Sequence, residues 1–156
     1  MATARTETSQ QPRAGHKFIE GTLSVPLLQF DLAEEIRQQR QEDSWLRGTG
    51  RSSKTLVKHD DLRIVLISMK ANTRMHEHKA TARISVQTIT GHVRLRLAAR
   101  TVELPAGNLL VLDQCLPHDV EALEDSAFLL TLSWAPVAES EECKSRPRGK
   151  VRHDGL

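Results

Sequence analysis

The chain has 156 residues, a length that one domain fills while still burying a sizeable core. Its 22 basic and 20 acidic residues leave a formal net charge of +2, and the basic ones are scattered, so nothing marks a nucleic-acid footprint. No run is long and apolar enough to span a bilayer, and two Trp, three Phe and no Tyr are too few for a base-stacking platform.

Residues 1–24 are rich in Thr, Ser, Gln, Arg and Gly and read as a flexible arm. They lack the apolar stretch of a secretory signal, although their acid-poor start leaves an organelle-targeting reading open. Residues 25–53 read as a helix and a linker. Asp31 is a good N-cap, and Glu34, three residues on, imitates a capping box. In the predicted helix 31–41, Leu32, Ala33 and Ile36 make a short apolar stripe, while Glu34, Glu35, Arg37, Gln38, Gln39 and Arg40 are expected in water. The run Gly48-Thr49-Gly50-Arg51-Ser52-Ser53 is expected to be a loop.

From Lys54 the hydrophobic period becomes strand-like. Strands are predicted over 54–59, 62–70, 73–79, 83–90, 92–97, 100–104, 108–112, 118–123 and 126–134. The clearest alternation is His92-Val93-Arg94-Leu95-Arg96-Leu97, with Val93 and the leucines inward and His92, Arg94 and Arg96 outward. Phe128 to Leu132 is almost continuously apolar, as a central strand would be. This all-β segment, residues 54–136, suits a sandwich or barrel. Residues 137–156 are charged and read as a disordered tail. The two cysteines, Cys115 and Cys143, form no framework pattern, and a reducing, cytoplasmic setting fits them.

In an extended strand, residues i and i+2 point to the same side. His76 and His78 are therefore expected on one face, with Met75, Glu77 and Lys79 on the other. His118 follows 40 positions after His78 and shares its face with Val120 and Ala122, which marks it as interior. Three histidines converging inside a β domain make a plausible first shell for a divalent ion such as Fe, Mn, Ni or Zn. No organic cofactor is implied.

These residues resemble the cupin pattern. The His76-Glu77-His78 run and Gly91 match the first cupin motif, and Gly107, followed eleven positions later by His118, matches the second. The fifteen residues between Gly91 and Gly107 are about the shortest link that cupins use. The similarity covers roughly residues 54–135. It implies a double-stranded β-helix, or jelly roll, preceded by a short helix, and a pairing of two copies into a homodimer. There are departures. Ala82-Arg83-Ile84 stands where the family carries a Glu, Asp113 and Cys115 replace a Pro and a Gly, and Ala122 replaces a common Asn.

Each candidate has a second reading. The histidines either hold an ion or serve as hydrogen-bonding pocket residues. Gln87 supplies a missing oxygen ligand, and Arg83 attracts an anionic substrate, only if their shared face is inward. The apolar set Ile84, Val86 and Thr88 favours that face being outward. Cys115 is either a thiol activated by a nearby imidazole or a packed small hydrophobe. Asp113 either orients His118 or makes a turn. His92 reads as a surface residue, and His16 and His59 have no arguable partner. Arg51 and Lys54 either cover a barrel mouth or stand as loop charges. Two functions stay open: a metal-dependent dioxygenase or isomerase acting on a small molecule, and a non-catalytic cupin that binds one.

Overall fold

The computed structural model describes residues 27–134; the expected N-terminal arm and charged tail lie outside them. In chain order the elements are α1 (Leu32–Gln39), α2 (Asp43–Leu46), β1 (Arg51–Lys58), β2 (Leu62–Met69), β3 (Arg74–His78), β4 (Arg83–Thr90), β5 (His92–Leu97), β6 (Arg100–Pro105), β7 (Leu109–Leu112), β8 (His118–Ala122) and β9 (Ser126–Ser133). The strands form two antiparallel sheets, a five-stranded one ordered β1-β2-β9-β4-β7 and a four-stranded one ordered β3-β8-β5-β6. The all-β jelly roll expected from the sequence is the fold observed.

Alternation positions the core. From the five-stranded sheet Ile67, Ile84, Val86 and Phe128 turn inward, and they meet Val93, Leu95, Leu104 and Val120 from the other sheet in one cluster. Each such side chain contributes about 1.5–3 kcal/mol by leaving water. One end of the interior is fastened by Thr88, whose buried hydroxyl donates to the Leu104 carbonyl of the opposite sheet at 3.0 Å. The Ile84 end, where the described residues make no such bridge, holds the cavity described below.

Gly91 makes the tight β4–β5 turn. Its φ is +78°, and a Cβ there would lie 2.5 Å from the Asp125 carbonyl oxygen and 2.7 Å from the Ser126 Cα. No other residue fits both the torsion and the space.

The other side of the five-stranded sheet carries α1. Asp31 caps the helix by accepting from the backbone N–H groups of Ala33 and Glu34. Glu34 does not reach back to complete the box; it accepts instead from Arg37 and Gln38, and its carboxyl is held down to about 2. The buried face also differs from the expected stripe. Ala33 is exposed, whereas Gln39 is 1% exposed, so the face is Leu32–Ile36–Gln39. Gln39 Nε2 donates to the Leu66 carbonyl at 2.9 Å, and Oε1 accepts from the Ser68 hydroxyl at 2.6 Å. Ile36 packs beside it on Leu56, Leu66 and Ala127. A polar residue is tolerated there because β2 supplies both of its partners.

Two further boundaries depart from expectation. The strand β1 starts at Arg51, inside the predicted loop, and Lys54 pairs with Glu35 of α1 at 2.6 Å instead of covering a barrel mouth. The short α2 was not foreseen; it buries Trp45, whose ring lies 5.4 Å from the Arg40 guanidinium and 5.7 Å from the Lys70 ammonium.

The outward face of the four-stranded sheet is a ladder of opposite charges. Arg74, Asp119, Arg96, Glu121, Arg94 and Glu103 pair successively across β3, β8, β5 and β6. The Arg94 guanidinium holds the Glu103 carboxyl below its ordinary value, and Asp119 raises that of Arg74. No helix among the described residues is long and apolar enough to cross a membrane.

Candidate functional site

The cavity at the Ile84 end of the interior has a volume of about 290 Å³. Its walls are mostly hydrocarbon: Ile67, Ile84, Val86, Val120, Phe128, Leu130 and Leu132. Met75, His78, Lys79, Ala80, Thr81, His118 and Trp134 complete the lining, which contains no carboxylate.

Two of the three expected histidines come together. His78 and His118 are directly opposite each other across the β3–β8 ladder. Their rings meet edge to face, with centroids 4.5 Å apart and planes inclined by 60°. His118 is 4% exposed, on the interior face that its alternation with Val120 assigns. Its Nδ1 donates to the Leu116 carbonyl at 2.8 Å. His78 Nδ1 likewise donates to the His76 carbonyl at 2.9 Å. Both rings are thereby fixed in orientation, and Nε2 is the nitrogen left to accept from a ligand or bind one. Burial pushes the His118 imidazole below its ordinary value and the neighbouring His78 adds to this, while the Leu116 carbonyl and Asp119 oppose it. His118 is therefore neutral at pH 7.

His76 does not join them. The expectation that His76 and His78 share a face fails because β3 carries a bulge: Met75 pairs with Val120 and His78 with His118, so that His76 and Glu77 stand against the single residue Asp119. The extra residue moves the inward phase from His76 to Met75, which packs on the core. His76 is exposed and contributes its backbone carbonyl instead of its ring.

The remaining candidates also lie away from the cavity. Gln87 and Arg83 are exposed, on the side of β4 opposite buried Ile84, Val86 and Thr88, so neither is a ligand nor a pocket cation. Arg83 instead lies 3.4 Å from Asp113. Asp113 accepts from the Gln114 N–H, and the acceptor that orients His118 is the Leu116 carbonyl. Cys115 has a φ of +65° and bonds its backbone N–H to the Ala80 carbonyl beside the cavity. It is disulfide-bonded, not a free or merely packed thiol; Cys143 lies outside the described residues. His92 is part of the surface ladder, 2.8 Å from Glu103.

A bound divalent ion needs more than this donor set offers. A catalytic zinc takes three protein ligands and an open position. Here two imidazoles converge, and no cluster of three His, Cys, Asp or Glu residues exists among the described residues. The nearest cation to the imidazoles along the chain, Lys79, shares the lining and opposes a second positive charge. The described residues do not make a metal centre.

Two residues at this end of the barrel, only the first of them in the lining, escape the sequence reading. Trp134 lines the cavity and donates from Nε1 to the Thr81 hydroxyl at 3.3 Å, which joins the end of β9 to the β3–β4 loop. Arg63 lies over the same indole, with its guanidinium 5.6 Å from the ring centroid. The signal for Trp134 is the phase Phe128–Leu130–Leu132–Trp134, which apolar Leu129 interrupts.

No family model matches the chain, and no curated protein does. Solved structures do. It is similar to a cupin 2 conserved barrel domain protein from Leptotrichia buccalis, with 25% identity, 67% of this chain and 47% of that chain covered, and a TM-score of 0.57. A cupin-2 domain containing protein from Shewanella frigidimarina is 13% identical over 67% of this chain and 94% of its own, with a TM-score of 0.55. A salicylate 1,2-dioxygenase from Pseudoaminobacter salicylatoxidans, solved with gentisate, is 15% identical over 54% of this chain and 25% of its own, with a TM-score of 0.51.

Proposed function

We propose that this chain, whose fold is that of the cupin superfamily, is a binding module for a small and largely apolar molecule. The observation that carries the reading is the 290 Å³ apolar cavity with two oriented imidazoles in its wall. An apolar cavity of about 150 Å³ holds one benzene ring, so this one has room for a ring with a short side chain. Hydrocarbon walls supply the affinity, and a few fixed polar atoms supply the orientation. Here the Nε2 atoms of His78 and His118 are those polar atoms, because both Nδ1 atoms are already engaged.

A metal-dependent oxygenase or isomerase is the competing reading. It has support from the dioxygenase among the similar structures, but two imidazoles without a third donor do not favour it. Calorimetric titration with neutral ring compounds separates the two, together with elemental analysis of protein purified without a histidine tag. Binding in the micromolar to low millimolar range, weakened by His118→Ala and independent of chelator, is expected. A stoichiometric metal lost in both His78→Ala and His118→Ala would overturn the binding reading.

A homodimer is proposed as the assembly. Its support is the edge strand β7, where Leu109 and Val111 are 61% and 57% exposed. An apolar edge of this kind calls for cover. Light scattering of the wild type and of Val111→Glu tests it, with a monomeric wild type at high concentration as the contrary result.

A further inference from the structure

We infer that the cavity selects an organic anion, with a carboxylate held at the mouth by Arg63 and Lys79 and the apolar body inside. The inference rests on the binding reading above and names the chemistry of the ligand. Arg63 leads the argument. It is opposite Leu132 in the β2–β9 register, and Leu132 lines the cavity, so Arg63 stands on the inward side of its sheet at the open end. Its guanidinium stacks over the Trp134 indole, another lining group. Its Nε is buried and has no hydrogen-bond partner among the described residues, which is a cost that a folded protein usually avoids. Arg63 also has no ion pair among the described residues.

The rest of the mouth has the same sign. Lys79 is part of the lining, is exposed at its end, and has no ion pair among the described residues either. Several other arginines of the barrel differ: Arg74, Arg83, Arg94 and Arg96 are matched to carboxylates. Two unmatched cations beside a hollow without acidic groups create a positive potential focused by low-dielectric walls. A planar carboxylate suits a guanidinium already oriented by stacking on an indole. The hollow beyond it accepts the hydrocarbon part.

The test compares 3-phenylpropionate with 3-phenylpropionamide, which differ in charge and hardly in shape. Titration calorimetry at low salt, with Trp134 fluorescence as a second signal, gives both affinities in the wild type, Arg63→Gln, Lys79→Gln and the double variant. The acid is expected to bind about tenfold or more tightly than the amide in the wild type. In the double variant the two are expected within about twofold, with the amide unchanged. Arg63→Lys, which keeps the charge and loses the planar fork, is expected to fall between the wild type and Arg63→Gln, and salt to weaken the acid alone. Equal binding of acid and amide by the wild type, or an intact preference in the double variant, overturns the anion inference and leaves the cavity reading standing. Binding of neither compound overturns both. Lys79→Gln alone keeps the test valid if loss of Arg63 disturbs the packing on Trp134, and unchanged melting of each variant checks this.

Discussion

His78 and His118 face each other directly across two strands, yet only one of them is buried by its own sheet. His118 takes its place from the β8 alternation, and His78 from a bulge in β3. Their closeness therefore depends on backbone irregularity as much as on sequence pattern.

The pH dependence of stability follows from His118. Its folded-state value lies below the ordinary 6.5, mainly through burial. The unfolded chain thus binds a proton more readily, and stability falls as pH drops through and below about 6.5. Urea midpoints at pH 7.5, 6.5 and 5.5 should decline in that order. His118→Gln should flatten the decline, and an unchanged slope would count against this origin.

His76 and His118 should behave oppositely on substitution. His76→Ala removes an exposed ring and keeps the carbonyl that orients His78, so stability should change by no more than about 0.5 kcal/mol. Binding of neutral ring compounds should be equally unaffected. His118→Ala should weaken that binding, and titration calorimetry of the two variants decides between them.

Gln39 joins α1 to β2 through two buried hydrogen bonds. Gln39→Ala leaves the Leu66 carbonyl and the Ser68 hydroxyl without it and should cost about 2 kcal/mol. Denaturant unfolding measures this. A cost near zero would mean that water replaces the side chain.

Gly91 and Gly107 both have positive φ, but their surroundings differ. Gly107→Ala meets nothing within 4 Å and should cost about 1–2 kcal/mol for the torsion. Gly91→Ala adds a collision with the Asp125–Ser126 backbone and should cost roughly 3 kcal/mol or more. Thermal melts of the two variants, run side by side, test the difference.

Most of the sheet was legible because alternation and turn residues agree along the chain. Val93, Leu95 and Val120 fall inward as their period requires. The site was less legible. A bulge leaves no mark in residue type, so alternation alone gives His76 the wrong phase. Local pattern places Gln39 in water because its partners, Leu66 and Ser68, are more than 25 positions away. Arg63 and Trp134 belong to the mouth through a cross-strand pairing that local patterns do not encode. Helix α2 is four residues long and too short for any period to declare.

The bulge in β3 also bears on how this barrel relates to others of its kind. A chain can spell a His-x-His signature in full and still present a single imidazole to its interior, because strand phase decides the count. Donor number in such barrels is then a matter of backbone geometry, open to change by one insertion or deletion near residue 76 with every histidine retained.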